Sequence, residues 1–218
     1  MLAAKAGLPM DEETLSALTD LQRAGKIRYF GSSTYPAHRI VQAQWAAREN
    51  HLGRFVTEQP SYSMLQRGIE THVLPVTEEY GLGVLAWSPL ASGWLSGAIR
   101  EGRSITTSRS AFMPQRFDTT LPANRAKLDA VEQLAKVADE AGLTMIQLAL
   151  GFVTAHPAVT SALIGPRTLD HLHSQLAAAD TALSADVLDA IVAPGTDLAA
   201  HEKNDTPPAL LDPTLRRR

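Results

Sequence analysis

Apolar and polar positions alternate along this chain in two rhythms. Leu15, Leu18 and Leu21 recur at helical spacing, with Asp11, Glu12 and Glu13 in the first turn, where the helix dipole favours acids. Gly25 stops this helix. Residues 27–31 read as a short strand, followed by the polar loop 32–36. Ile40, Val41 and Trp45 mark one face of a helix over about 37–49. Residues 55–59 form a second strand, ended by Pro60, and a loop over 61–67 leads to a helix over 69–80. The run that organises the rest is 81–93, Gly-Leu-Gly-Val-Leu-Ala-Trp-Ser-Pro-Leu-Ala-Ser-Gly. Its apolar segment, Val84, Leu85 and Ala86, lies between turn signals, which predicts a strand buried on both faces, as in a parallel sheet. Pro89 closes it, because proline cannot donate to a ladder.

Residues 96–121 are long and polar, a kind of connection that is usually functional or disordered. Helices return over about 123–141 and 144–156, each with an apolar stripe. A fourth strand spans 160–164, a helix runs from Thr168 to about 179, and a last helix covers about 184–192. Strand then helix, about four times, predicts an α/β fold with a parallel sheet. Four strands make half of an eight-stranded barrel. Residues 1–10 show no period and read as a loose lead-in, 11–193 as the folded part, and 194–218 as a mobile tail.

Composition narrows the picture. The 218 residues suit one domain with a sizeable core, and 44% hydrophobic with 20% charged residues is an ordinary globular balance. A net charge of −3 calls for neither nucleic acid nor an anionic membrane. Cysteine is absent, which excludes disulfides and thiolate metal sites. Apolar runs are too short to span a bilayer, and residues 1–8 lack a signal-peptide core, so a cytoplasmic protein is expected.

Candidate chemistry gathers at the strand ends. They carry Ser33 and Thr34, Gln59, Trp87 and Ser88 with Ser92 beyond, and Gly165-Pro166-Arg167. In a parallel barrel such ends share one rim. Hydroxyls, a carboxamide, an indole and an arginine suit a flat, amide-bearing, phosphorylated ligand. Trp87 can stack on a heterocycle, and Ser33 and Gln59 can hydrogen-bond a carboxamide. Thr168 is a good N-cap whose helix attracts phosphate, and Arg167 can grip phosphate bidentately. Each has a bland alternative: Arg167 as a solvated cation, Gln59 as a satisfied strand end, Ser88-Pro89 as an ordinary turn. His171 and His173 stand two apart on a helix and share no face, so no metal site is expected. Gly81-Leu-Gly-Val-Leu-Ala86 fits a dinucleotide fingerprint, but it enters a strand instead of following one.

Four blocks carry a resemblance: 24–33 (AGKIRYFGSS), 58–63 (EQPSYS), 87–94 (WSPLASGW) and 164–179 (IGPRTLDHLHSQLAAA). In this order and at these separations the chain resembles the aldo-keto reductases from about Pro9 onward. The resemblance implies a (β/α)8 barrel, bound NADPH (NADP) and reduction of aldehydes or ketones. It places Ser33, Thr34 and Gln59 at the nicotinamide carboxamide and Trp87 against the nicotinamide ring. Ser88, Leu90 and Ser92 fall at the pyrophosphate, Gly165 and Arg167 at the adenosine phosphate, and Ser174 with Gln175 at the adenine. Thr34 departs from a usual asparagine, and Ser174-Gln175 from a commoner acid-asparagine pair.

The family's tyrosine acid, with its lysine, aspartate and histidine, belongs to the first barrel strands, and nothing here matches them. A tyrosine with pKa of about 10 needs a partnered lysine to serve near neutral pH. The expectation is therefore a partial barrel, about the last four βα units, inactive alone and with no catalytic residue assigned. The alternatives are a noncatalytic NADPH-binding or interaction module, or a truncated gene product. A small carbonyl substrate is expected only if the missing half is supplied. Open sheet edges at 27–31 and 160–164 predict self-association or docking of that half. Phe30, Val56, Leu85 and Leu163, or their neighbours, would lose their opposite wall.

Overall fold

The computed structural model describes residues 2–5, 12–102 and 108–192, without the side chains of 2–5, 108, 109 and 192. The chain divides into two compact units: 1–61 with 69–87 and 158–161, and 62–68 with 88–157 and 162–218.

The first unit alternates strand and helix: β1 (Leu2–Lys5), α1 (Glu12–Arg23), β2 (Phe30–Ser33), α2 (Ala37–Glu49), β3 (Thr57–Gln59), α3 (Ile69–Glu79) and β4 (Gly83–Trp87). These four strands are parallel neighbours in sequence order, and β5 (Val159–Leu163) follows β4 in the sheet. The α/β class and the parallel sheet agree with the sequence reading. Leu15, Leu18 and Thr19 of α1 are buried, as are Ile40, Ala43 and Ala47 of α2. They meet Phe30, Tyr35, Phe55 and Leu82 in one core. Phe55 sits edge-on to Phe30 at 5.8 Å and to Tyr35 at 5.9 Å, the arrangement ring quadrupoles favour.

The sheet corrects the sequence reading in several places. The lead-in holds β1, which pairs Leu2 with Phe30 through Lys5 with Ser33, so the sheet has five strands. Four residues are too few to show a period. The first strand is displaced from 27–31 onto Phe30–Ser33, and the second shortens to Thr57–Gln59. The displaced strand ends in small polar residues that read as loop, yet Gly31 and Ser32 are buried. With β1 in place, β2 is interior and the terminal strands are β1 and β5. Phe30 packs into the helical core and exposes almost nothing. Val84 and Ala86 are buried while Leu85 is half-buried, so β4 alternates. In β5, Thr160, Ser161 and Leu163 are exposed.

Gly81 has φ +62°, closes the turn after α3, and leads into β4. The glycine fingerprint thus enters a strand, which its dinucleotide use forbids.

In the second unit α4 (Ser108–Phe112) falls inside the long polar connection. It is followed by α5 (Pro122–Glu140), α6 (Met145–Ala155), α7 (Leu169–Leu176) and α8 (Ala185–Val192). A Thr144–Gln147 capping box starts α6, whose Leu148, Phe152 and Val153 are fully buried. The apolar stripe of α5 (Leu128, Val131, Leu134, Ala138) is buried too. The expected tail, 194–218, lies outside the described residues.

Candidate functional site

In the first unit, Ser33, Thr34, Gln59 and Trp87 all stand at the C-terminal ends of adjacent parallel strands. Ser33 and Gln59 are direct register partners. Trp87 bridges to Ser61 and donates its N–H to the Pro60 carbonyl at 2.9 Å. Neighbouring parallel strands lie about 4.8 Å apart, so the four side chains occupy one short edge. The Ser33 hydroxyl donates to the Gln59 carbonyl at 3.0 Å, which leaves its oxygen as an acceptor. The Gln59 carboxamide is half-buried and, among the described residues, meets no hydrogen-bond partner. Trp87 is 39% exposed. Thr34 is exposed and left-handed, at φ 61°. Asparagine tolerates that conformation better than a β-branched residue, so the threonine is strained here.

Glu58, to which the sequence assigns no role, lies beside this edge with no exposed surface. Its carboxylate accepts a hydrogen bond from the Ser32 hydroxyl and another from the Tyr35 N–H at 3.1 Å. The Thr34 N–H also points to it, while donating to the Gln59 carbonyl at 3.2 Å. Burial pushes the Glu58 pKa above the ordinary carboxylate value, and these hydrogen bonds only partly offset that. The neighbouring Tyr35 phenol is also raised, first by burial and then by the Glu58 charge, with Arg39 acting the other way. The one signal in the sequence was an acid inside a strand otherwise destined for the core.

A raised acid pKa means that the folded state binds its proton more tightly than the unfolded chain. The Glu58 contribution to stability is therefore full below the unfolded carboxylate pKa and is lost as pH rises through the folded one. Melting temperatures measured from pH 4 to 8 should show this component in the wild type and lack it in Glu58→Gln. Identical pH profiles for the two proteins would contradict the assignment.

The second unit carries the other candidates. Ser88, Ala91 and Ser92 are left-handed, with φ of 61°, 47° and 61°. Such residues cost on the order of 1–3 kcal/mol each and persist only where the surroundings fix them. Here Ala91 N–H donates to the Ser88 carbonyl at 2.9 Å, and Gly93 N–H to the Leu90 carbonyl at 2.8 Å. The Ser88 hydroxyl accepts from Ser92 N–H at 3.3 Å. Just beyond, Trp94 is buried, stacked on Phe117 at 5.6 Å with Lys127 over its ring at 5.1 Å. Leu90 is half-buried within this loop.

Gly165 and Arg167 are exposed on the loop before α7. Thr168 caps that helix, its hydroxyl accepting from His171 N–H at 3.2 Å. Ser174 donates to the His171 carbonyl at 2.9 Å. Gln175 is buried, and among the described residues its Oε1 has no hydrogen-bond partner. A buried orphan acceptor is uncommon, and an amino group on a bound heterocycle would satisfy it.

The model of the aldo/keto reductase family matches residues 5–194. Among similar proteins, the uncharacterized oxidoreductase YrpG of Bacillus subtilis is 35% identical over 178 residues, 81% of this chain and 52% of that protein. A putative voltage-gated potassium channel subunit beta of Schizosaccharomyces pombe is 36% identical over 163 residues, 72% of this chain and 46% of that protein. Protein tas of Escherichia coli is 36% identical over 176 residues, 81% of this chain and 50% of that protein. The chain thus spans about half the length of the curated relatives it matches. With a family match from residue 5 to residue 194, the chain belongs to the aldo/keto reductase family.

Proposed function

We propose that this chain is the NADP(H)-holding part of a carbonyl reductase, a portion of a (β/α)8 barrel. The observation that carries the reading is the pairing of Ser33 and Gln59. One offers an acceptor oxygen and the other a carboxamide with no hydrogen-bond partner among the described residues, on adjacent strand ends with an exposed indole one strand further on. Those groups complement a nicotinamide amide and ring. In the second unit, Ser88, Leu90 and Ser92 suit the pyrophosphate side. Gly165 and Arg167 suit the adenosine 2′-phosphate, and Ser174 with the orphan acceptor of Gln175 suits the adenine. When bound, the cofactor supplies hydride to a carbonyl carbon of a small aldehyde or ketone. The residues of this chain bind and orient it. None of them matches the Tyr/Lys/Asp/His set that would protonate the oxygen.

A second reading is an NADP(H)-binding interaction module without turnover. Three of the relatives bear the name of a potassium channel β subunit, a partner role.

Arg167 provides the test. Its guanidinium can pair with a 2′-phosphate, so NADPH should bind more tightly than NADH. Losing one charge-assisted contact costs about 1.5–3 kcal/mol, roughly ten- to hundredfold in affinity. Arg167→Ala should erase the preference, read by quenching of tryptophan fluorescence. Equal affinity of the wild type for both cofactors would refute this role.

A further inference from the structure

Glu58 makes no hydrogen bond to the Ser33 hydroxyl or the Gln59 carboxamide, yet it binds the turn that carries Ser33. Its carboxylate accepts from the Ser32 hydroxyl and the Tyr35 N–H, and the Thr34 N–H, which donates to the Gln59 carbonyl, lies beside it. These span the residues on both sides of Ser33 and include the strained left-handed Thr34. Glu58 also directly precedes Gln59 in β3, and Ser32 and Glu58 are register partners. A buried carboxylate is costly unless hydrogen-bonded, and here its donors flank a left-handed residue that must be held out of its relaxed conformation. Without the acceptor, the Tyr35 N–H and the Ser32 hydroxyl would lose a buried partner, and Thr34 could relax toward ordinary backbone angles. That would swing Ser33 off the Gln59 carbonyl.

Resting on the cofactor reading above, we propose that Glu58 is a positioning residue. It locks the 32–35 turn so that the Ser33 hydroxyl and the Gln59 carboxamide together present a preformed seat for the nicotinamide amide. The lock needs an acceptor more than a charge. A glutamine side chain can still accept from Tyr35 N–H, while its amide donates to a Ser32 hydroxyl that has turned round.

This predicts a particular ordering of variants. The full chain is titrated with NADPH and with adenosine 2′,5′-bisphosphate, which lacks the nicotinamide. Glu58→Ala should weaken NADPH about three- to tenfold, the worth of one hydrogen bond, and leave the bisphosphate unchanged. Glu58→Gln should restore most of the NADPH affinity. If the alanine variant does not fold, Ser32→Ala removes a single donor and should still weaken NADPH selectively. NADPH binding unchanged in Glu58→Ala, or in Ser32→Ala where that variant stands in, would overturn the inference alone. So would an equal loss of both ligands. A wild type that binds neither ligand would overturn the cofactor reading, and this inference with it.

Discussion

Gly31→Ala is expected to be among the most damaging single substitutions in the first unit. Gly31 lies in β2, paired with β1 on one side and with β3 next to it on the other. A Cβ built there would overlap both the hydroxyl and the backbone carbonyl oxygen of Thr57. A side chain can rotate away; a strand carbonyl cannot move without parting β2 from β3. Overpacking usually costs about 1–3 kcal/mol, and a clash with backbone belongs at or beyond the top of that range. Against a typical domain stability of about 5–15 kcal/mol, that is a large fraction. Gly165→Ala is a useful contrast, because nothing lies within 4 Å of its Cβ. It should stay within about 0.5 kcal/mol of the wild type. Urea unfolding followed by circular dichroism compares them. Equal midpoints for the two variants would show that the strands have room.

The second large effect is an absence of turnover. The purified 218-residue chain is expected to reduce no aldehyde at an enzymatic rate. A carbonyl that accepts hydride needs a proton on oxygen, and general acid catalysis is typically worth 10²–10⁴-fold. The tyrosines available are poorly suited to supply it. Tyr35 is buried, and burial together with Glu58 raises its pKa, away from neutral pH. Tyr62 is fully buried against the Phe152 and His156 rings. Tyr29 is 65% exposed, and its strand neighbour Phe30 opens β2 at the end opposite to Ser33. NADPH oxidation with a panel of aldehydes, monitored by absorbance, tests this. A rate typical of enzymes that vanishes on substitution of one of these tyrosines would overturn it.

Much of the fold was legible because long amphipathic helices announce themselves. α5, with Leu128, Val131, Leu134 and Ala138 on one face, needed only its period. Strands were harder. β1 has four residues, and its pairing with β2 is a tertiary fact that no local pattern encodes. β2 was placed too early because Gly31-Ser32-Ser33 reads as a turn; Ser32 is comfortable in the sheet only because Glu58 accepts its hydrogen. The strand-end residues Ser33, Gln59 and Trp87 were found from position alone. Glu58 was missed for the complementary reason. A lone acid in a strand looks like surface until its donors, the Ser32 hydroxyl and the Tyr35 N–H, are seen around it.

The order of the sheet also bears on how the protein is made. Ser32 and Glu58, partners across β2 and β3, are 26 residues apart, and each neighbouring pair from β1 to β4 is separated by a similar span. Every such closure is short-range, and loop-closure entropy grows only slowly with length. A chain emerging from the ribosome can therefore add one strand at a time, each docking on the last while the next is still being translated. The hydrogen bond from Val84 N–H to the Thr160 hydroxyl breaks this rhythm, because it spans 76 residues. Until that stretch has been synthesised, β4 has no strand to cover its outer edge, and a bare edge is a template for wrong pairings.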